Sequence, residues 1–346
     1  MNIDTEGLIA IRLFRQHITD PSDHLTVSRD LNGFQSQFIS SALHSLSLRA
    51  NDRDLTEGMV RNWTVRGTVH IFAEDDLPIY KFDKDNHRSL DFSGYRHYSS
   101  GEPVISPEEQ RYWSLRIIDL VKNGISLRED LKRACAEEGM SQDALDAMFD
   151  QWGGGIRELC ERGFLNYRLT EKKGFEISPD FLPVGRDAAE KEILRRYFSS
   201  YGPASLRDAA YYYGCSQARI KEIIKSLPVK SVNIFGKEHY YIGDLAAGRT
   251  TIPECLFLGG FDPLMLGYRK DESVFLPDEY LRGIFTLSGI VMPAVMYKGK
   301  VAGRWKRQGK KIRIQFFGSA DKDVVIAVQN TAEETFGLPE IITEMI

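Results

Sequence analysis

The chain has 346 residues, a formal net charge of −4, and 42% hydrophobic against 27% charged residues. That length holds two or three domains with cores of their own, and so ordinary a composition excludes a largely disordered protein. The slight acidity excludes a protein that coats DNA by charge alone, because phosphate neutralisation needs a basic surface; any nucleic-acid contact has to come from local basic patches. The first residues, Met1 to Glu6, are acidic with no apolar run behind them, which predicts no secretory signal. Runs such as Ser288 to Tyr297 fall far short of the roughly 20 residues of a membrane span. Cys135, Cys160, Cys215 and Cys255 lack zinc-knuckle spacing. They read as reduced core thiols of a cytoplasmic protein without a metal site or cofactor.

In chain order, Leu8, Ile11, Leu13 and Phe14 mark a first helix, and Phe34 to Leu48 reads as a later one, apolar at Phe38, Ala42, Leu43 and Leu46. Trp63 to Phe72 is β-rich and would complete an irregular unit over residues 1–100. Tyr95-Arg96-His97-Tyr98 alternates aromatic and basic side chains and reads as a surface loop in preference to a base-stacking platform. A second unit, 101–185, opens with an amphipathic helix from Glu108 to Lys122. Ser126 and Glu129 then stand in capping-box register for a short helix. Ile156 to Arg162 gives a third helix, and Phe164 to Leu169 with Phe175 to Ile177 a hairpin. Gly153-Gly154-Gly155 reads as a loop, either a flexible connector or a place of close approach.

The clearest unit is 186–250. Ile193, Leu194, Tyr197 and Phe198 share one helical face, and Gly202-Pro203 stops that helix. Ser205 to Tyr213 makes a second helix closed by Gly214; the Tyr211-Tyr212-Tyr213 run on its flank reads as packing. A third helix starts at a Ser216 cap and ends before Pro228. Two β-type runs, Val229 to Phe235 and His239 to Ile242, follow around Gly236-Lys237. Three helices and a hairpin describe a winged helix, whose third helix is the one able to enter a groove. After residue 250 come short β-runs at Cys255 to Leu258, Val291 to Tyr297, Val301 to Trp305, Ile312 to Phe317 and Val324 to Val328. The predicted fold class is therefore α+β: tandem winged-helix modules with a C-terminal, antiparallel, β-rich and barrel-like domain over 251–346. One basic patch stands out, from Lys298 to Arg313, with Lys298, Lys300, Arg304, Lys306 and Arg307 among its cations, Trp305 between them and no acidic residue. It is either a solvated strand face or a phosphate-contacting one.

Four segments, in order, carry a resemblance: Gly33-Phe34-Gln35-Ser36-Gln37-Phe38, Arg66-Gly67-Thr68-Val69-His70, Gly260 to Arg269, and Ser288-Gly289-Ile290-Val291-Met292-Pro293. Together they resemble the signature segments of the AlkZ-like DNA glycosylases, of AlkZ and YcaQ type, over about 300 residues. The resemblance implies tandem winged helices with a β-rich C-terminal part. It implies hydrolysis of the N-glycosidic bond of bulky N-alkylated purines, crosslinked ones included, without metal or organic cofactor. The family's catalytic motif is Gln, an intervening and often apolar residue, then Gln or Asp. It falls on Gln35 and Gln37, with polar Ser36 between them. Amides cannot supply the charge a carboxylate brings; they position groups by hydrogen bonds. A cationic N7- or N3-alkylated purine leaves as a neutral base, so orienting a water suffices. The competing expectation is two solvated glutamines. On a regular helix residues i and i+2 point about 200° apart, so Gln35 and Gln37 converge only at an irregular start, which Gly33 would provide.

The remaining candidates are His70, lining a pocket or holding structure; Arg66, on phosphate or bracing the wing; and Arg269 with Lys270, reaching toward the DNA backbone. Asp262 before Pro263 is expected to cap a turn. The expected partner is duplex DNA with alkylated bases, held by a monomer, since three modules in one chain cover a long footprint. The alternative is a non-catalytic winged-helix regulator, which has no use for paired amides and generally dimerises on a palindrome.

Overall fold

The computed structural model describes all residues except 1–2, 84, 97–100, 151–152, 246–250 and 338–339; His97 and Tyr98 of the aromatic-basic run lie outside it. The chain forms two compact units, Met1–Glu57 with Glu190–Ile346, and Gly58–Ala189.

The first unit begins with α1 (Thr5–Arg15), capped by Asp4, and α2 (His24–Asp30), capped by Asp23. The chain then turns through Asn32 and Gly33, both at positive φ (56° and 77°), into β1 (Phe34–Gln35) before α3 (Ile39–Ser47). The helix expected over Phe34 to Leu48 thus starts only at Ile39. The left-handed pair releases the chain into an extended path, and burial alternates along it. Phe34 and Ser36 are buried, Gln35 is half-buried and Gln37 is exposed. That alternation belongs to a strand, not a helix.

In the second unit β2 (Met59–Trp63) and β3 (Val69–Ala73) pair antiparallel, followed by α4 (Leu77–Tyr80), β4 (Tyr95–Arg96) and β5 (Pro103–Ile105). Next come α5 (Pro107–Lys122), α6 (Arg128–Glu137), α7 (Gln142–Met148), α8 (Gly154–Glu161), β6 (Leu165–Tyr167) and β7 (Phe175–Ile177). Its strands run β3-β2-β6-β7, over a core that includes Ile117, Leu131, Leu159, Leu165 and Phe175. The Ser126 capping box does not form. Leu127 occupies the N-cap without a side-chain bond, because the Ser126 carbonyl accepts from Phe175 N (2.8 Å) and Leu127 bridges Gly174. Sheet pairing takes the backbone that the cap would have used. The glycine triplet enters α8 and marks close approach: a Cβ on Gly155 would lie 2.3 Å from Met148 Sδ, and one on Gly154 2.5 Å from the Ala147 carbonyl.

Returning to the first unit, α9 (Arg186–Ser200), α10 (Leu206–Tyr213), α11 (Gln217–Ile224) and the hairpin β8 (Lys230–Ile234)–β9 (Lys237–Tyr241) follow the expected plan. Ser205 and Asp208 cap α10 reciprocally, Gly214 closes it at φ +76°, and Ser216 caps α11. The C-terminal part comprises β10 (Cys255–Phe257), α12 (Pro263–Leu266), α13 (Leu281–Ile284), β11 (Ala294–Tyr297), β12 (Lys300–Gln308), β13 (Lys311–Phe316), α14 (Lys322–Phe336) and β14 (Glu340–Met345). This sheet is open and not barrel-like, in the order β10-β11-β12-β13-β14, and its last pair is parallel. The run Val324 to Val328, expected as a strand, lies in α14. Val324, Val325, Val328 and Ala332 repeat at helical spacing against Trp305, Ile312 and Ile314, so burial of that stripe overrides β propensity. A parallel neighbour needs such a crossover helix. No helix among the described residues is long and apolar enough to cross a membrane.

Candidate functional site around Gln35 and Gln37

The segment carrying the two glutamines is fastened before and after. Upstream, the Leu31 carbonyl accepts from both Tyr201 Oη (2.9 Å) and Tyr212 Oη (3.3 Å), and Asn32 Nδ2 donates to the Ile193 carbonyl (3.1 Å). Tyr201, just after α9, stacks on Tyr197, and Tyr212 of α10 packs tilted against both rings, so the tyrosine run contributes anchoring as well as packing. Downstream, Phe38 and α3 lie against the Gly259–Phe261 stretch. The Phe38 and Phe261 rings are 6.2 Å apart, and a Cβ on Gly259 would sit 2.4 Å from the Ser41 carbonyl. Only glycine admits that approach.

Asp262, the next residue, is wholly buried. Its Oδ1 caps α12 by accepting from Leu264 N (2.9 Å), as expected of a turn cap. It also binds Arg49, at the end of α3, through two hydrogen bonds of 2.8 and 3.0 Å. Arg49 donates further to the Ser45 and Gln16 carbonyls. The fork of donors is thus satisfied, as a charge with no exposure requires. Arg49 is a buried charge that the sequence reading missed; an arginine near a helix end has the pattern of a surface charge, and only the fold supplies its partner.

Gln35 ends β1 and Gln37 lies two residues on, in the bend that leads into α3, with buried Ser36 between them. The segment is not helical, so the separation of about 200° between i and i+2 on a helix does not apply to this pair. One turn further, Ser40, Ser41 and His44 of α3 line a cavity of about 470 Å³ with Gly259, Pro293, Trp305, Lys306, Arg307 and Phe336. Burial lowers the His44 pKa, and its Nε2 donates to the Phe257 carbonyl (2.6 Å), which leaves Nδ1 as an acceptor. Trp305 is core, its indole N–H on the Leu258 carbonyl (2.8 Å).

The basic patch divides. Arg304 is held by Gln315, Lys311 by Glu340 and Arg313 by Glu344. Lys298, Lys300 and Lys306 are exposed and make no ion pair with the described residues; Arg307, also exposed, donates to the Gly309 carbonyl. Arg269 is tied to Asp271 (3.0 Å), while its backbone N–H donates to Asp208.

Arg66 and His70 belong to the other unit. His70 is fully buried, its Nδ1 3.0 Å from the Thr68 carbonyl and 3.1 Å from Thr64 Oγ1, and its Nε2 3.5 Å from Arg66 Nη1. Burial first, then the Arg66 charge, lowers its pKa to about 3. A neutral ring that closes the Thr64–Thr68 turn, braced by Arg66, is what this geometry provides. Across the strand pair, Asn62 Oδ1 accepts from buried Lys81 (3.0 Å), whose amine burial lowers to about 8.

Comparison with known proteins gives a class and then a family. Over the full length of both chains, the structure matches the Streptomyces sahachiroi DNA glycosylase AlkZ with a TM-score of 0.75 at 20% identity, a likeness of fold. An interstrand DNA cross-link repair glycosylase from the same organism is 21% identical over 359 residues, covering 96% of this chain and 95% of that protein. The chain belongs to the AlkZ-like DNA glycosylase family, whose model matches residues 29–332. DNA glycosylases are hydrolases of N-glycosyl bonds, and the non-catalytic regulator is not favoured.

Proposed function

We propose that this glycosylase releases N-alkylated, cationic purines from duplex DNA and unhooks interstrand crosslinks built on them, using Gln35 and Gln37 to hold the attacking water. The observation that carries the reading is the non-helical Gln35-Ser36-Gln37 segment, anchored on Tyr201 and Tyr212 before it and on Gly259–Phe261 after it. An amide oxygen accepts a hydrogen bond from water and an amide N–H donates one to it, so two amides orient its attack, and the proton the water sheds as the neutral base leaves passes to solvent. They supply no charge. The alkylated purine departs neutral, so positioning is the contribution left to the protein. Exposure of Gln37 suits a substrate that remains part of a duplex, and a bulky or strand-bridging lesion need not be flipped fully.

We read α9–α11 with β8–β9, and α5, α6 and α8 with β6–β7, as winged helices, and α1–α3 as the helical part of another. Lys298, Lys300, Lys306 and Arg307 serve as phosphate contacts that set register without reading sequence. The protein acts as a cytoplasmic monomer. The test is incubation with duplexes carrying N7-methylguanine or a nitrogen-mustard crosslink, followed by hot alkali. Strand breaks at the lesion support the reading; intact strands across both lesions overturn it.

A further inference from the structure

Leu287 is 88% exposed, at the tip of a turn that is unusually well braced. Thr286 N donates to the Ile290 carbonyl (2.9 Å), Ile290 N to Thr286 Oγ1 (3.0 Å), and Gly289 N to the Thr286 carbonyl (3.2 Å). Thr286 Oγ1 also meets Ser288 Oγ at 3.0 Å, and Gly289 takes φ +81°. An isolated exposed leucine is ordinary. A leucine held out by a turn of fixed shape, with no charged residue from Thr286 to Ile290, is less so.

The base of this turn is joined to the glutamine site. Phe285 pairs with Val291, and the Val291 carbonyl accepts from Phe261 N (3.3 Å). Phe261 in turn packs against Phe38, which follows Gln37 and is itself 46% exposed. Lys270 lies 5.7 Å from the Phe285 ring, and Arg282 is exposed on the same segment, which supplies cations for the phosphates beside an inserted tip.

We infer that Leu287 is a wedge: it enters the base stack of duplex DNA at the damaged step and props the lesion toward Gln35 and Gln37. Apolar side chains inserted between base steps unstack and kink the duplex. A short, uncharged, internally hydrogen-bonded turn keeps its form while doing so. Leu287 is a positioning residue that touches neighbouring bases and not the reacting bond. The inference rests on the glycosylase reading above and adds to it the means by which the lesion step is opened.

The test uses the full chain and a duplex with 2-aminopurine beside a tetrahydrofuran abasic-site analogue. Wild type is expected to raise the fluorescence ~3-fold as the neighbouring base unstacks, with Leu287→Ser abolishing the rise and Leu287→Met keeping it. Excision of N7-methylguanine is expected to fall ~10-fold in Leu287→Ser, with binding to undamaged duplex unchanged. An unchanged rise in Leu287→Ser, or none in wild type, overturns the wedge. A wild type that unstacks the step yet releases no N7-methylguanine overturns the substrate reading and leaves the wedge standing.

Discussion

Arg49 and Asp262 form a buried, two-pronged ion pair, 2.8 and 3.0 Å, that ties the end of α3 to the start of α12. Gln37 enters α3 at its other end, so this pair fixes the helix on which the site depends. Replacing Asp262 by Asn leaves the Arg49 charge buried without a counter-ion. Removing one partner of such a pair costs about 3–5 kcal/mol. Urea unfolding of Asp262→Asn is expected to give an unfolding free energy lower by that amount, seen as a lower midpoint at an unchanged slope.

Gly259 bears on the same helix by contact. A Cβ there would stand 2.4 Å from the Ser41 carbonyl and 2.6 Å from Ser45 Oγ, so α3 has to move. Overpacking of this kind costs about 1–3 kcal/mol. Gly259→Ala is expected to lower the melting temperature and to reduce lesion excision further than the stability loss explains, because Gln37 moves with the helix. Excision rates measured well below the variant's melting temperature separate the two effects.

His70 makes stability depend on acid. Its folded pKa is about 3, below the 6.5 of the unfolded ring. Between those values the unfolded chain binds the extra proton, so stability falls as pH drops from 6.5 toward 3 and is fully present above 6.5. The slope approaches about 1.4 kcal/mol per pH unit. Denaturation at pH 7 and pH 5 is expected to show a loss of about 1–2 kcal/mol from this ring, and the loss shrinks in His70→Asn.

Lys300 and Lys306 project from β12 without ion pairs among the described residues. If each meets one phosphate, the double variant Lys300→Ala/Lys306→Ala lowers the slope of log K against log salt by about 1.8. Fluorescence anisotropy of a labelled duplex across a salt series measures it. The same variant of Lys311 and Arg313, already held by Glu340 and Glu344, is expected to change the slope far less.

Much of the fold is legible in the sequence wherever local chemistry and burial agree. The α9–α11 array with its hairpin was readable from the Ile193 to Phe198 face, Gly214, Ser216 and Pro228. Legibility fails where tertiary pairing overrules local preference. Val324 to Val328 is helical because its stripe is buried on the sheet, Ser126 loses its cap to strand pairing, and the expected barrel is an open sheet. For the site, the paired glutamines were visible as a pattern, but their place ahead of α3, outside any helix, was not. It depends on Asn32 and Gly33 turning left-handed, and on Tyr201 and Tyr212 reaching back from distant sequence to one carbonyl. Arg49 had no local sign at all.

The central claim is that Gln37 positions the water that displaces the alkylated base. It is tested most directly by single-turnover excision of N7-methylguanine from a duplex by wild type and Gln37→Ala, with affinity for the same duplex measured alongside. Gln37 is exposed and outside the core, so the variant is expected to fold and to bind within about 3-fold of wild type, while its rate falls ~100-fold, the scale of a lost positioning group. An excision rate in Gln37→Ala equal to that of wild type, at equal affinity, contradicts the account.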